Sequence, residues 1–359
     1  MKLVKVSESN KKQFIKFYDN IYLNKDNKRN SMSTVLKSLL YGRSIMCKSV
    51  DMEPVMVMDN ERIVMTAILA YAHRMPEFLQ VSFFEAIEDN PAAFNLILER
   101  AYILSKEKVA KKICGGLNIH VNYGLGFLAS DYNSWQGFGT PHNPPYYNRL
   151  FEKSGFKTID MVSFKANMKT LEPLFSLKLK EKLEKRYSIR EVNFKDLINE
   201  ARIYTQINNE AFKEHLFYYP RVAEEDLELF KEFKYLLRPE NLLFIERDGQ
   251  PVGFMLWYPD FHSIMSKMES VGLKTVIKSK LYQQKMNTFK IVEIGVIPSE
   301  QKKGAIMMLF DYCYNCAKGR YENFESGWVL AENRSSYALG DKWADDVYKK
   351  YKAFVKDVE

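Results

Sequence analysis

The sequence of 359 residues contains few cysteines and no long hydrophobic run. Four cysteines in a chain of this length do not form the dense disulfide framework of a small secreted protein. The longest apolar stretch, from Ile63 to Ala72, is about half as long as a membrane-spanning helix. The first residues soon turn polar and contain no apolar signal segment. We therefore expect a cytoplasmic protein with no membrane partner.

No run of five or six basic residues occurs, although the chain is basic overall. The 53 lysines and arginines exceed the 45 aspartates and glutamates, which gives a formal net charge of +8. This mild excess fits an acidic ligand, such as a nucleotide or tRNA, and fits a lysine-rich soluble surface as well. Because the aromatic residues are spread along the chain, we do not expect a base-stacking surface for nucleic acid.

The order of predicted elements is the same in both halves of the chain. Hydrophobic residues make up 46% and charged residues 27%, which excludes a disordered or low-complexity protein. In each half a helical pattern precedes a hairpin, a strand, a helix, a strand, a helix and a final strand. This alternation predicts a layered α/β fold of the α+β type. We predict an N-terminal domain over 1–167, a linker helix over 168–186 and a C-terminal domain over 187–359, and the oligomeric state stays open.

Two hairpins are marked by turn residues between apolar runs. Asp248-Gly249 is a dipeptide that favours a type I′ turn, and Asp59-Asn60-Glu61 separates two runs in the first half. After the second hairpin, residues 260–288 have helical pattern and read as an insertion. The strongly apolar strand 289–297 follows it and ends at Pro298.

Cys313 and Cys316 form a C-x-x-C pattern inside an apolar helix. A spacing of three places both thiols on one helix face, where a free cysteine behaves as a small hydrophobic residue. No second cysteine pair follows, and the histidines are scattered without the spacing of metal ligands. We therefore assign both cysteines to the core and expect no metal site.

The most informative segment is the turn that joins strand 289–297 to the next helix. Backbone N–H groups at such a turn point towards one spot at the positive end of the helix dipole, which suits a pyrophosphate. Gly304 allows close approach of the backbone, and two lysines add positive charge. The predicted anion-binding residues are Gln301, Lys302, Lys303, Gly304, Ala305 and Ile306.

This turn resembles the pyrophosphate loop of the GNAT superfamily, the GCN5-related N-acetyltransferases. The family pattern is Gln/Arg-x-x-Gly-x-Gly/Ala between a strand and a helix, and the residues from Gln301 to Gly304 match its first four positions. Ile306 replaces the Gly or Ala of the sixth position. Asn333 lies where such enzymes often place an asparagine that touches the cofactor arm.

The first half resembles the same family, with 142–156 similar to its closing helix and turn. Its counterpart of the phosphate loop, Ile87 to Ala93, is acidic and lacks glycine, so we interpret the first half as a degenerate copy. The whole chain is similar to an uncharacterised bacterial group of tandem acetyltransferase-like proteins with FFE, HNPPYY and GxPVGFxLxxPD patterns. The resemblance implies two tandem GNAT-like domains, each a mixed, mostly antiparallel twisted sheet flanked by helices.

The resemblance also implies the chemistry. In the family, an amine attacks the thioester of acetyl-CoA, or of another acyl-CoA, directly in a ternary complex. The acceptor would be a small-molecule or peptide amine, and acyl-CoA the only co-substrate. A backbone N–H among Gly295, Val296 and Ile297 would bind the oxyanion, and Val296 and Ile297 would pair with the pantetheine arm. Glu293 on this strand is the candidate general base, or else an ordinary strand carboxylate.

The family general acid is a tyrosine seven residues after the asparagine, and this position is Gly340. Tyr337 lies one helical turn earlier, where it either substitutes for the missing acid or packs. In the first half, His142 with neighbouring prolines and Tyr146 and Tyr147 could line an acceptor pocket, with His142 as acid or base. Glu85 of the FFE pattern is assigned to the same pocket. The alternative for this segment is a rigid helix entry with tyrosines packed on the sheet.

Two further functions stay open at this point. Tandem GNAT-like folds also occur in Fem-type aminoacyltransferases, which take the acyl group from aminoacyl-tRNA, and the net charge fits that donor weakly. Alternatively, Ile306 and Gly340 mark a retired transferase that binds CoA, a metabolite or a protein without transferring an acyl group. The leading prediction is an N-acyltransferase that uses acetyl-CoA.

Overall fold

The computed structural model describes residues 1–28, 32–170, 176–267 and 269–358, and they form two compact units. The first unit comprises Met1–Met161, Met265–Gly272 and Lys349–Glu359. The second comprises Val162–Ile264 and Leu273–Tyr348. Within these residues the fold is mixed α/β, as predicted, with mostly antiparallel strands and flanking helices.

The helices of eight or more residues are numbered in chain order. They are α1 (Lys11–Asn20), α2 (Ser33–Leu40), α3 (Pro91–Lys108), α4 (Tyr146–Lys153), α5 (Leu177–Glu184), α6 (Leu197–Ala211), α7 (Ala223–Phe233), α8 (Leu273–Leu281), α9 (Ala305–Ala317) and α10 (Arg334–Trp343). In the part of the chain that the structure describes, no helix combines the length and the apolar character needed to cross a bilayer.

The strands are numbered in the same way. They are β1 (Lys2–Lys5), β2 (Val50–Asp59), β3 (Arg62–Ala72), β4 (Phe78–Ala86), β5 (Lys112–Gly115), β6 (Phe127–Leu128), β7 (Lys157–Asn167), β8 (Ser188–Glu191), β9 (Leu242–Arg247), β10 (Gln250–Pro259), β11 (Thr288–Val296), β12 (Asn323–Ser326), β13 (Val329–Leu330) and β14 (Asp346–Asp357). Gly327 and Trp328 separate β12 from β13.

The first unit is built on a sheet with strand order β1-β2-β3-β4-β5-β14. Neighbours are antiparallel except β4 and β5, which run parallel. The central strand β3 is buried along most of its length, because apolar layers cover both faces of this part of the sheet. Helix α3 covers one face. Its start is fixed by Pro91 and by Asn90, whose side-chain oxygen accepts the Ala93 N–H at 3.0 Å.

The second unit repeats this plan with the order β8-β9-β10-β11-β12-β7. Along this order, β11 and β12 run parallel and the other neighbours are antiparallel. The hairpin between β9 and β10 turns at Asp248 and Gly249, both with positive φ (51° and 73°), as a type I′ turn requires. Helix α9 packs on one face of the sheet, and its Cys313 is fully buried. Helices α6 and α7 cover the other face.

The last strand of each sheet differs from the sequence prediction. In the second unit β12 pairs with 165–167 of β7, and in the first unit β5 pairs with β14. The first unit also includes residues 349–359 and 265–272, which the sequence predicts in the C-terminal domain. Helix α5 forms only part of the predicted linker and belongs to the second unit, and residues 171–175 lie outside the described residues.

Candidate functional site

The candidate site lies where β11 separates from β12 in the second unit. The parallel ladder between them covers Thr288 to Ile291 and then ends, whereas β11 stays paired with β10 up to Val296. Opposite β10, Val292 is an extra residue, because Leu256 faces Glu293 and Trp257 faces Ile291. A bulge of this kind bends a strand and increases its twist, which opens the sheet beyond Ile291.

The open edge of β11 presents backbone groups without a strand partner among the described residues. The Ile297 N–H donates to the Val252 carbonyl at 2.9 Å and so faces β10. Since N–H directions alternate along a strand, Gly295 also faces β10, whereas Ile294 and Val296 face the open side. Of the three residues predicted to contact the cofactor, Val296 therefore offers its N–H to an added strand, and Ile297 does not.

The turn after β11 has two residues with positive φ, Lys302 at 60° and Gly304 at 94°. The Gln301 side-chain amide donates to the Val296 carbonyl at 3.1 Å and ties the turn to the end of β11. A Cβ on Gly304 would lie 2.5 Å from Leu183 of α5, so both the φ value and this contact require glycine. Helix α9 begins directly afterwards at Ala305, and its first N–H groups have no intrahelical acceptor.

Ile306 is partly buried and packs against the apolar core of the second unit. The residue that replaces the Gly or Ala of the family pattern therefore contributes to the contact between α9 and the sheet.

The basic groups around the turn surround one buried carboxylate, Glu300. It contacts Arg186 at 2.9 Å, Arg247 at 2.5 Å and Lys303 at 3.4 Å, and it accepts the Tyr187 hydroxyl at 2.6 Å. Burial opposes ionisation, but the hydrogen bonds from Tyr187 and the arginines outweigh it and lower the pKa of Glu300 to about 2. Arg247 also pairs with Asp248 at 3.5 Å, so three cations face two anions and the cluster keeps a net positive charge at the start of α9, which favours an anionic ligand.

Glu293 lies half-buried on the face of β11 that α6 covers. Its carboxylate accepts a short hydrogen bond from the Tyr204 hydroxyl of α6. Burial raises the pKa of Glu293 to about 6, although Arg221 and the Tyr204 hydrogen bond act in the opposite direction. A carboxylate that titrates near neutral pH beside an open strand edge can accept a proton from a reacting amine.

A buried ion pair supports this carboxylate. Arg221 contacts Asp226 at 2.6 Å, with both side chains almost fully buried, and Thr205 donates to Asp226 at 2.5 Å. The sequence does not predict Tyr204, Arg221 or Asp226 as members of the site. No local pattern marks them, because they are 67 to 89 positions away from Glu293 in the chain and the tertiary fold alone brings them together.

The other predicted residues of the second unit have structural contacts. Asn333 is the N-cap of α10, and its side-chain oxygen accepts the Ser336 N–H at 3.1 Å. The Tyr337 ring packs edge-on against Phe164 of β7, with ring centroids 5.4 Å apart. A Cβ on Gly340 would lie 2.3 Å from the same phenylalanine, so a tyrosine at this position does not fit.

The predicted pocket of the first unit is a closed cluster of polar groups around Glu85. The Glu85 carboxylate accepts the hydroxyls of Tyr22 at 2.5 Å and Tyr147 at 2.7 Å. Lys28 lies 3.8 Å from Glu85 and donates to the His142 carbonyl at 2.7 Å. Burial lowers the pKa of Lys28 to about 8, against the opposing effect of Glu85. The structure thus brings Glu85, Tyr147 and the His142 backbone together. Lys28 and Tyr22 also belong to this cluster, although the sequence does not predict them there.

In the first unit, side chains occupy the strand edge that corresponds to the open edge of β11. The ladder between β4 and β5 ends at Val81. Beyond it, the Phe83 N–H donates to the Asn118 side chain at 2.8 Å, and the Ala86 N–H donates to the Tyr147 hydroxyl at 2.7 Å. The Tyr146 hydroxyl donates to the Ala86 carbonyl at 2.8 Å. The open strand edge is therefore a feature of the second unit.

Comparison with solved structures identifies the fold. A tandem GNAT protein from the clavulanic acid biosynthesis pathway aligns with all of this chain and 98% of its own, with a TM-score of 0.56 at 9% identity. A GCN5-related N-acetyltransferase from Sphaerobacter thermophilus aligns over 100% and 96%, with a TM-score of 0.53 at 14% identity. A GCN5-related glucosamine N-acetyltransferase region of a fungal multi-domain protein scores 0.57 at 12% identity, over 99% of this chain and 38% of that one. The chain has the GNAT fold in tandem, as the sequence resemblance implied.

Two curated proteins are similar in sequence. The bacterial ceramide synthase of Caulobacter vibrioides is 23% identical over 287 residues, which cover 76% of this chain and 73% of that protein. Protein YghO of Escherichia coli is 22% identical over 282 residues, which cover 75% and 72%. No protein-family model matches the chain.

Proposed function

We propose that the protein is an acyl-CoA-dependent N-acyltransferase whose active site lies in the second unit. The observation that carries this proposal is the open edge of β11 beside Glu293, a half-buried carboxylate with a pKa of about 6. The positively charged turn at the start of α9 follows the same strand and supports the binding of a pyrophosphate. The tandem GNAT fold of the chain is consistent with this arrangement.

In this proposal the cofactor arm pairs with the open edge of β11, and the Val296 N–H is directed towards the thioester oxygen. The amine nitrogen attacks the carbonyl carbon, a C–N bond forms, and the C–S bond breaks. Glu293 takes the proton that the amine loses. The departing CoA thiolate is protonated from the solvent, to which Glu293 returns the amine proton, since Tyr337 packs against Phe164 and no tyrosine fits at Gly340.

We further propose that the acceptor is a long-chain amino alcohol. A ceramide is the amide of a fatty acid with such an amine, and a ceramide synthase is similar to three quarters of this chain. Trp328 follows Gly327, whose N–H donates to the Ile291 carbonyl at the end of the ladder, and the Trp328 ring centroid lies 5.7 Å from that of His215. Aromatic rings next to the end of the ladder suit the apolar part of an acceptor better than a strongly charged polyamine.

The test combines calorimetry with a transfer assay on the purified protein. Acetyl-CoA and a long-chain acyl-CoA are titrated first, and CoA release is then followed with sphinganine, a polyamine and a peptide amine. We expect binding that weakens in Lys302→Glu and in Gly304→Asp, and transfer to sphinganine that Glu293→Gln abolishes. Glu246→Gln is the matched control, because Glu246 is a strand carboxylate that pairs with Arg190 instead.

The other possible results distinguish the alternatives. Binding of acyl-CoA without transfer to any amine favours a retired transferase. Absence of acyl-CoA binding, with salt-dependent binding of aminoacyl-tRNA, favours the Fem-type donor. Transfer only to the polyamine or the peptide leaves the acyltransferase proposal intact and refutes the long-chain acceptor.

A further inference from the structure

The segment between β10 and β11 of the second unit carries a helix with an unusual orientation. The segment leaves the sheet after Pro259 and returns at Thr288, where the Asp260 N–H donates to the Thr288 carbonyl at 2.9 Å. Helix α8 lies within it and packs on the short helix Phe261–Ile264. The insertion therefore connects α8 to β10 and β11, the two strands of the candidate site.

Helix α8 buries small polar residues and exposes large apolar ones. Thr275 is fully buried and Ser279 is 8% exposed, whereas Leu273, Ile277 and Leu281 are 76%, 51% and 64% exposed. These three residues recur every four positions, so they form one stripe on the outer face of the helix. A surface helix of a soluble protein normally has the reverse arrangement, with its apolar stripe towards the core.

Lysines border this stripe on both sides. At about 100° per residue, Lys280 lies next to Leu273 on one side, and Lys274 and Lys278 lie beyond Leu281 on the other. The segment from Leu273 to Lys285 contains four lysines and no acidic residue, so its formal charge is +4. An apolar stripe between lysines is the pattern of helices that lie in the interface of an anionic bilayer.

We propose that α8 docks the protein on the surface of an anionic lipid bilayer, with Leu273, Ile277 and Leu281 inserted among the acyl chains. The helix lies in the plane of the interface, because its length of about 13 Å is far less than the bilayer thickness. The charge argues for lipid: four lysines without a single acidic residue match a continuous negative surface.

This inference does not depend on acyl transfer, and it differs from our sequence-based expectation of no membrane partner. The pattern in 260–288 indicated helix but not which face is buried. Should the acceptor be a long-chain amino alcohol, docking would bring the candidate site to the phase in which that amine resides.

Vesicle sedimentation of the full chain tests the proposal. Vesicles of phosphatidylcholine are compared with vesicles that contain about 30 mol% phosphatidylglycerol, an anionic fraction that gives a strong surface potential. We expect binding to the anionic vesicles only, reduced at least tenfold by Ile277→Glu and about fivefold by each of Lys274→Gln and Lys280→Gln, which remove one positive charge. Binding should also fall in about 0.5 M salt, where charge interactions are screened.

Ile198→Glu is the matched control, since Ile198 on α6 is 64% exposed, as Leu281 is, and lies outside the stripe. Circular dichroism verifies that each variant is folded. The proposal is overturned if anionic vesicles do not bind, or if Ile198→Glu reduces binding as much as Ile277→Glu. It is also overturned if sedimentation velocity shows a dimer in the presence of anionic vesicles that Ile277→Glu makes monomeric, which would assign the stripe to a second copy of this chain.

Discussion

The pH dependence of acyl transfer should follow the ionisation of Glu293. With a pKa of about 6, the ionised fraction of this carboxylate rises from about 9% at pH 5 to about 91% at pH 7. If Glu293 accepts the proton of the amine, kcat/KM should rise about tenfold over this range. Glu293→Gln should remove the enzyme's contribution to this rise together with most of the activity.

Two neighbouring substitutions should move the midpoint in opposite directions. The Tyr204 hydroxyl stabilises the Glu293 carboxylate, so Tyr204→Phe should raise the pKa and lower the rate most strongly near pH 6. Asp226 repels the ionised form, so Asp226→Asn should lower the pKa and preserve activity at more acidic pH. If Glu293 only supported the fold, these two substitutions would not move the midpoint of the pH profile in opposite directions.

The assay is CoA thiol release with one amine for all variants. Protonation of that amine contributes the same slope to every profile, so the difference between variants reports on the enzyme. Tyr312→Phe is the control, because its hydroxyl contacts Glu191 at 3.1 Å and not Glu293. Identical midpoints in the wild type, Tyr204→Phe and Asp226→Asn would refute the assignment of Glu293 as the base.

Three further outcomes are expected. Gly304→Ala should lower the free energy of unfolding by about 2–4 kcal/mol in urea titrations, from φ strain and the contact with Leu183, and Leu183→Ala should relieve the steric part. Because the pKa of Glu300 is lowered from 4.5 to about 2, its carboxylate should contribute to the free energy of unfolding fully above pH 4.5 and lose that contribution towards pH 2. In Glu300→Gln the free energy of unfolding should depend less on pH over this range. Acyl-CoA should slow hydrogen exchange of the Val296 amide but not of the Ala86 amide.

The sequence predicted local structure well where short-range chemistry decides it. The Asp248-Gly249 turn and the strand-to-helix turn at Gly304 both lie where their residue types place them. Each of these features depends on φ preferences or capping within a few residues. The repeated order of elements, together with the resemblance, was sufficient for the tandem GNAT fold.

Long-range pairing was beyond the sequence. The pairing of β14 with β5 joins residues about 240 positions apart, and an apolar strand pattern does not specify its partner. The environment of Glu293 could not be predicted for the same reason, because Tyr204, Arg221 and Asp226 come from α6, α7 and the loop between them. Its sequence neighbours on β11 do not determine whether the carboxylate is solvated or buried.

The difference between the two units shows what an open strand edge requires. A buried backbone N–H without a partner costs about 1–3 kcal/mol, and the first unit avoids this cost at β4 with Asn118 and Tyr147. Such side chains make the fold more complete and leave no place for an extended ligand. On β11 the equivalent groups face away from β10 beyond Ile291, where the bulge at Val292 has parted the strands. The Gln301 side-chain amide satisfies the Val296 carbonyl. The Ile294 and Val296 N–H groups have no strand partner among the described residues, which leaves them to water or to the ligand that we propose.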